Sequence, residues 1–273
     1  MSDNSPIGIF DSGVGGLSVW RAIRQRLPGE GLLYFADQGH VPYGARPLAE
    51  IRHFSEQISR FLLARGAKII IVACNTASAA ALTHLRETFP QIPFVGMEPA
   101  LKPAAEQSAS GVVGVLATPA TFQGALYASV LERFASGVTV LQDTCPGLVT
   151  QIERGNLSGA ETRQILQQAL LPMLAQGADT LVMGCTHYPF VIPLIEEISA
   201  GKLRVIDPAP AVARQLERIL LQRGLAAEAG GAARREFFTS GSAAAFEQIF
   251  PLLTGESAAA QAARWQDGSV TCG

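Results

Sequence analysis

Two short apolar runs in this chain end in the same way. Ile69-Ile70-Ile71-Val72-Ala73 breaks into Cys74-Asn75-Thr76, and Thr180-Leu181-Val182-Met183-Gly184 breaks into Cys185-Thr186-His187. A run rich in β-branched residues and bounded by polar ones reads as a buried parallel strand. In open α/β sheets, ligands bind beyond the carboxyl ends of such strands. Each cysteine is therefore expected where chemistry is done, and two matching thiols imply a two-sided reaction.

The remaining periodicity repeats the theme. Strands are expected at Ile7 to Phe10, Leu32 to Ala36, Lys68 to Ala73 and Pro93 to Gly96, with helices at Gly16 to Leu27, Pro47 to Arg65 and Ala77 to Phe89 between them. A second series has strands at Gly111 to Ala117, Val138 to Gln142, Thr180 to Met183 and Leu203 to Ile206. Its helices are expected at Thr121 to Phe134, Ala160 to Gln176 and from Pro193. Helices alternating with strands imply mainly parallel sheets with right-handed crossovers. Prolines at 90, 93 and 99, and again at 208 and 210, punctuate the ends of the two series. The expected fold is α/β, two similar lobes with the site in the cleft between them: residues 1–97 form lobe 1, residues 98–207 form lobe 2, and residues 208–273 return to lobe 1. One continuous doubly wound sheet is allowed by the same pattern; the paired cysteine segments favour two lobes.

Composition narrows the function. Among 273 residues, 48% are hydrophobic and 16% charged, which suits a packed core and not a disordered or nucleic-acid-coating chain. A net charge of −2 supplies no basic field for phosphates. No basic start leads into an apolar core, and no apolar stretch is long enough to span a bilayer. The expectation is a cytoplasmic protein that binds neither nucleic acid nor membrane, with homodimerisation the base-rate assembly. The four cysteines, 74, 145, 185 and 272, have no CxxC pairing, so free thiols are expected, not a disulfide frame or a metal site. Cys145 lacks polar neighbours of the kind that follow Cys74 and Cys185 and reads as structural; Cys272 reads as incidental.

The turn Asp11-Ser12-Gly13-Val14-Gly15-Gly16 is rich in glycine but matches neither dinucleotide nor phosphate-loop patterns, since Ser18 stands where the last glycine would be. Its glycines permit close backbone approach, and Asp11 reads either as a cap or as a proton-handling acid. His187, two residues from Cys185, is placed to tune a thiol.

These residues resemble the cofactor-independent glutamate racemases of bacterial cell-wall synthesis. The resemblance spans almost the whole chain and rests on Phe10-Asp11-Ser12-Gly13-Val14-Gly15-Gly16-Leu17, Val41-Pro42-Tyr43-Gly44, Ala73-Cys74-Asn75-Thr76-Ala77-Ser78 and Gly184-Cys185-Thr186-His187-Tyr188-Pro189. It implies that Cys74 and Cys185 are the acid/base pair, that Asp11 assists the first, and that His187, supported by Glu153, assists the second. It also implies a glutamate pocket lined by Asp11, Ser12, Tyr43, Gly44, Asn75, Thr76, Thr118, Thr121, Thr186 and His187, with no cofactor and no metal. Gln38 and His40 depart from the residues usual in the family, as do Gly124 and Thr144. The related aspartate racemases usually carry Glu where this chain has His187. A thiol hydrolase using Cys185 and His187 is the reading from another class, and it leaves Cys74 idle. A non-catalytic amino-acid-binding module would need the cleft and neither thiol.

Overall fold

A computed structural model describes residues 3–135, 137–228 and 233–272. The chain opens with β1 (Ile7–Asp11), α1 (Leu17–Arg26), β2 (Leu32–Ala36), α2 (Leu48–Ala64), β3 (Ile69–Val72), α3 (Asn75–Thr88) and β4 (Phe94–Val95). It continues through α4 (Leu101–Gln107), β5 (Val112–Ala117), α5 (Pro119–Gln123), α6 (Ala125–Phe134), β6 (Thr139–Asp143), α7 (Leu148–Glu153) and α8 (Ala160–Ala175). Then follow β7 (Thr180–Gly184), α9 (Ile192–Ser199), β8 (Arg204–Ile206), α10 (Ala209–Arg223), β9 (Arg235–Thr239), α11 (Ala243–Thr254), β10 (Ala260–Gln266) and β11 (Ser269–Cys272).

The strands form two separate sheets, with orders β11-β10-β9-β2-β1-β3-β4 and β6-β5-β7-β8. All pairings are parallel except β10 with β11. The continuous doubly wound sheet is therefore excluded. In the first sheet β1, β2 and β3 are buried throughout, as their unbroken apolar sequences require of strands covered on both faces. After β8 the chain re-enters this sheet, where Phe237 pairs with Tyr34 and Phe238 with Phe35. Trp20 of α1 meets Phe237 and Phe250 with ring centroids 5.5 Å apart, fastening α11 and β9 to the first helix. Such aromatic pairs contribute roughly 0.5–1.5 kcal/mol each beyond area burial.

Several elements depart from the sequence expectation. The helix expected at Thr121 to Phe134 is two, α5 and α6, broken at Gly124 (φ −73°, ψ 140°). A Cβ at Gly124 would lie 2.9 Å from Ala79 Cβ, so the break lets this segment close on the alanine-rich face of α3. The short α4 and α7 are too brief to show a helical period, and the hairpin β10–β11 lacks the β-branched run that marks a strand. Among the described residues no helix is long and apolar enough to cross a membrane.

Asp179, just before β7, accepts hydrogen bonds from Ser108 Oγ (2.7 Å), Ala109 N (2.7 Å), Ser110 N (2.7 Å) and Thr180 Oγ1 (2.9 Å), tying the turn into β5 to the start of β7. Burial acts to raise its carboxyl, but these donors outweigh it and bring the pKa down to about 2. A depressed carboxylate stabilises the fold above its unfolded pKa and loses that contribution as pH falls through the folded value. Asp179→Asn is therefore expected to cost about 1 kcal/mol at pH 7 after solvent screening. Urea melts should show this deficit shrinking between about pH 4 and pH 2; a deficit independent of pH would refute the assignment.

Candidate active site

The first cysteine stands beside an acid that its own turn has wrapped. Asp11 ends β1, fully buried, and its Oδ2 accepts from Gly16 N (2.8 Å) and more weakly from Gly13 N (3.4 Å). Ser12 Oγ lies 3.4 Å from Asp11 Oδ1 and 4.0 Å from Cys74 Sγ, bridging the acid toward the thiol. Cys74 is the N-cap of α3, its sulfur accepting from Ala77 N at 3.4 Å. Burial pushes the Cys74 thiol well up, and the neighbouring Asp11 carboxylate adds to this, while the Ala77 N–H opposes it. Burial likewise raises Asp11, against the pull of His187 and the Gly16 N–H.

The second cysteine has a partner held from further away. His187 Nδ1 lies 3.8 Å from Cys185 Sγ, and Nε2 lies 2.6 Å from Glu153 Oε1. That same carboxylate accepts from Val14 N (2.7 Å) and from Gln38 Nε2 (3.0 Å). Burial alone would disfavour the charged ring, yet Cys185 and Glu153 together hold His187 well above the usual imidazole range. Glu153 is in turn lowered: burial opposes its charge, but His187, Gln38 and the Val14 N–H outweigh burial.

The glycine-rich turn after β1 makes room for these groups. A Cβ at Gly13 would fall on the Glu153 carboxylate, and one at Gly15 on the His187 ring. Ser18, the residue that spoils the nucleotide pattern, donates from Oγ to Gly15 O (2.9 Å) and Thr186 O (3.0 Å). The turn thus receives the other lobe's side chains where a dinucleotide fold would receive a phosphate.

Between the thiols lies a narrow cavity of about 20 Å³. Ser12, Tyr43, Gly44, Cys74, Asn75, Thr76, Thr118, Cys185, Thr186 and His187 line it. Thr76 Oγ1 and Thr118 Oγ1 are 2.8 Å apart, and Thr118 Oγ1 and Thr121 Oγ1 3.0 Å. Tyr43 Oη donates to Asp37 Oδ2 at 2.6 Å, and Asp37 also takes Ser240 Oγ (2.6 Å) and Trp265 Nε1 (2.9 Å). Asn75 is 3% exposed, and both its amide oxygen and nitrogen lack a partner. Buried polar atoms are rarely left so; a bound α-carboxylate would accept from the nitrogen and a bound α-ammonium would donate to the oxygen.

The residues expected from sequence to form the site converge here, in two layers. Asp11, Thr121 and Glu153 stand behind the lining and hold residues that form it. Pro42, part of the matched Val41-Pro42-Tyr43-Gly44 run, and Val149 also line the void, and Asp37, Gln38 and Thr239 support it; of the last three, sequence reading marked only Gln38, as a departure from the family. Among the described residues, no three His, Cys, Asp or Glu side chains gather as metal ligands would.

Known proteins with this arrangement agree with one another. Residues 7–216 match the family model described as Asp/Glu/hydantoin racemase. The glutamate racemase of Pseudomonas paraeruginosa (strain DSM 24068 / PA7) is 55% identical over 254 residues, covering 93% of this chain and 96% of that one. The crystal structure of glutamate racemase from Francisella tularensis subsp. tularensis SCHU S4 in complex with D-glutamate superposes with a TM-score of 0.81 at 30% identity, over 93% of this chain and 95% of that one. The Escherichia coli glutamate racemase, in complex with L-glutamate and the activator UDP-MurNAc-Ala, gives 0.83 at 32%, over 94% and 97%. Matched in sequence and fold over nearly its whole length, this chain belongs to the Asp/Glu/hydantoin racemase family and, within it, to the glutamate racemases.

Proposed function

We propose that the protein interconverts L- and D-glutamate by direct proton transfer between Cys74 and Cys185, supplying D-glutamate for cell-wall synthesis from the cytoplasmic amino-acid pool. The observation that carries this reading is the pairing itself. Two thiols, each just beyond the carboxyl end of a strand in a different sheet, line one void, and each has its own acid-supported partner.

Racemisation removes the α-proton from one face and returns a proton to the other. A thiol, with a reference pKa of about 8.5, can serve as base or acid near neutrality. In either direction one sulfur starts as thiolate and the other as thiol, and they exchange states at each turnover. Asp11 and Ser12 serve the Cys74 side. On the Cys185 side, a positively charged His187 balances the sulfur's charge while Glu153 balances the ring's.

The carbanion needs stabilisation from fixed dipoles. In this reading the unpartnered Asn75 amide nitrogen and the Thr76, Thr118 and Thr186 hydroxyls donate to the α-carboxylate. Bound D-glutamate in the Francisella relative and L-glutamate in the Escherichia coli relative support a pocket that accepts both enantiomers. The void is too tight to admit glutamate as it stands, so entry is expected to part the lobes and closure to expel water.

The test is proton NMR of the protein with D-glutamate in deuterated buffer, without added cofactor, alongside polarimetry. Loss of the α-proton signal together with decay of rotation to zero is the expected result. Exchange with aspartate alone would assign the neighbouring specificity, and exchange with neither would remove the racemase reading.

A further inference from the structure

We propose that Gln38 is a positioning residue for the Cys185 half of the reaction, its side-chain amide, aimed by Thr239, holding the Glu153 carboxylate against His187. The inference rests on the two-cysteine reading above.

Glu153 has two carboxylate oxygens to satisfy in a site where its side chain is only 11% exposed. Oε1 is taken by His187 Nε2 and Val14 N. Oε2 faces Gln38 Nε2 at 3.0 Å. An amide can present its oxygen as readily as its nitrogen, and oxygen against a carboxylate would repel. Glu153 itself removes that choice by taking the nitrogen, and Thr239 braces the other end: its Oγ1 accepts from Gly241 N (3.0 Å) and its proton goes to Gln38 Oε1 at 2.8 Å. The donors then run in one direction, from the Gly241 N–H through the Thr239 hydroxyl and the Gln38 amide to Glu153, which also accepts from the ring beside Cys185.

The parts come from distant stretches of chain. Thr239 ends β9 and is fully buried beside the end of β2, where Ala36 pairs with it, and Gln38 follows two residues later. Glu153 and His187 belong to the half built on the smaller sheet. The carboxylate therefore has its full set of donors only when the two halves meet around it. Without Gln38, Oε2 loses a charge-assisted hydrogen bond, the carboxylate is free to turn, and His187 loses its fixed orientation.

The test uses Gln38→Met, which keeps side-chain length and removes both amide contacts, and Thr239→Val, which removes only the hydroxyl. We expect kcat/KM for glutamate to fall about tenfold with Gln38→Met, the scale of a lost hydrogen bond to a charged group, and less with Thr239→Val. Because enantiomers have equal free energies, this loss is the same in both directions and does not identify the affected thiol. Isotope effects do. With α-deuterated substrates, the effect on kcat/KM should rise for the enantiomer that Cys185 deprotonates and fall toward its equilibrium value for the other.

Which enantiomer belongs to which thiol is read from α-proton exchange in D₂O by the Cys74→Ala and Cys185→Ala proteins. Isotope effects that stay unchanged, or move together, would overturn the assignment while leaving the two-cysteine reading intact. Racemisation by Cys185→Ala would overturn both. Thr239→Val carries the same test if Gln38→Met does not fold.

Discussion

Replacing Cys74 or Cys185 by Ala is expected to abolish racemisation, with kcat/KM falling by roughly a thousandfold or more, the scale of a lost general acid–base catalyst. Both directions must fall by the same factor, since L- and D-glutamate are equal in free energy. The two variants should differ in what survives. A protein retaining only Cys185 can still remove and return the proton on that sulfur's face, and the Cys74 variant should therefore exchange the α-proton of one enantiomer in D₂O without inverting it. The Cys185 variant should exchange the other. Glutamate affinity should stay within a few-fold, because Asn75, Thr76, Thr118 and Thr186 remain in place. Chiral chromatography and NMR exchange on the same samples check both halves. Either variant racemising within tenfold of the parent protein would end the two-base account, and an acyl group trapped on Cys185 would favour the hydrolase chemistry.

The parts of this site that were legible in the sequence share one property: each announces itself locally. Cys74 and Cys185 follow β-branched runs, and a strand's carboxyl end is where an α/β fold exposes side chains to ligand. Asp11 and its glycines form a visible strand-to-helix turn. Glu153 was reached only through resemblance, because α7 is six residues long and its acid has no motif around it. The contacts of the rest of the supporting layer were illegible for a physical reason. Gln38 meets Thr239 across 201 residues of chain, and Asp37 meets Trp265 across 228, contacts that no local period or spacing encodes.

The same reasoning explains where the fold was and was not readable. Buried parallel strands such as Ile69–Val72 carry their burial in composition. β10, with the sequence Ala-Gln-Ala-Ala-Arg-Trp-Gln, is a strand because β9 and β11 pair with it, not because of intrinsic preference. Gly124 reads as an interior helix glycine until Ala79 is seen against it. In each case tertiary packing overrides what the local sequence prefers.

Gly13→Ala is expected to disable the enzyme without touching either thiol. Its added methyl would occupy the position of the Glu153 carboxylate, so the carboxylate must withdraw or the halves must stand apart. Either way His187 loses its anchor, and we expect kcat/KM to fall by roughly a hundredfold or more. Overpacking of this kind costs about 1–3 kcal/mol, so the protein should remain folded with a lowered melting temperature. Gly29→Ala is the control: its nearest neighbour would be Glu228 O at 3.9 Å, and activity should be unchanged. The decisive comparison is a double-mutant cycle with Glu153→Ala, which clears the space that the methyl needs. If the methyl acts through Glu153, Gly13→Ala adds almost nothing in that background. Full additivity of the two losses would instead mean that Gly13 matters for its own backbone, and that the turn's glycines do not exist to receive the facing carboxylate.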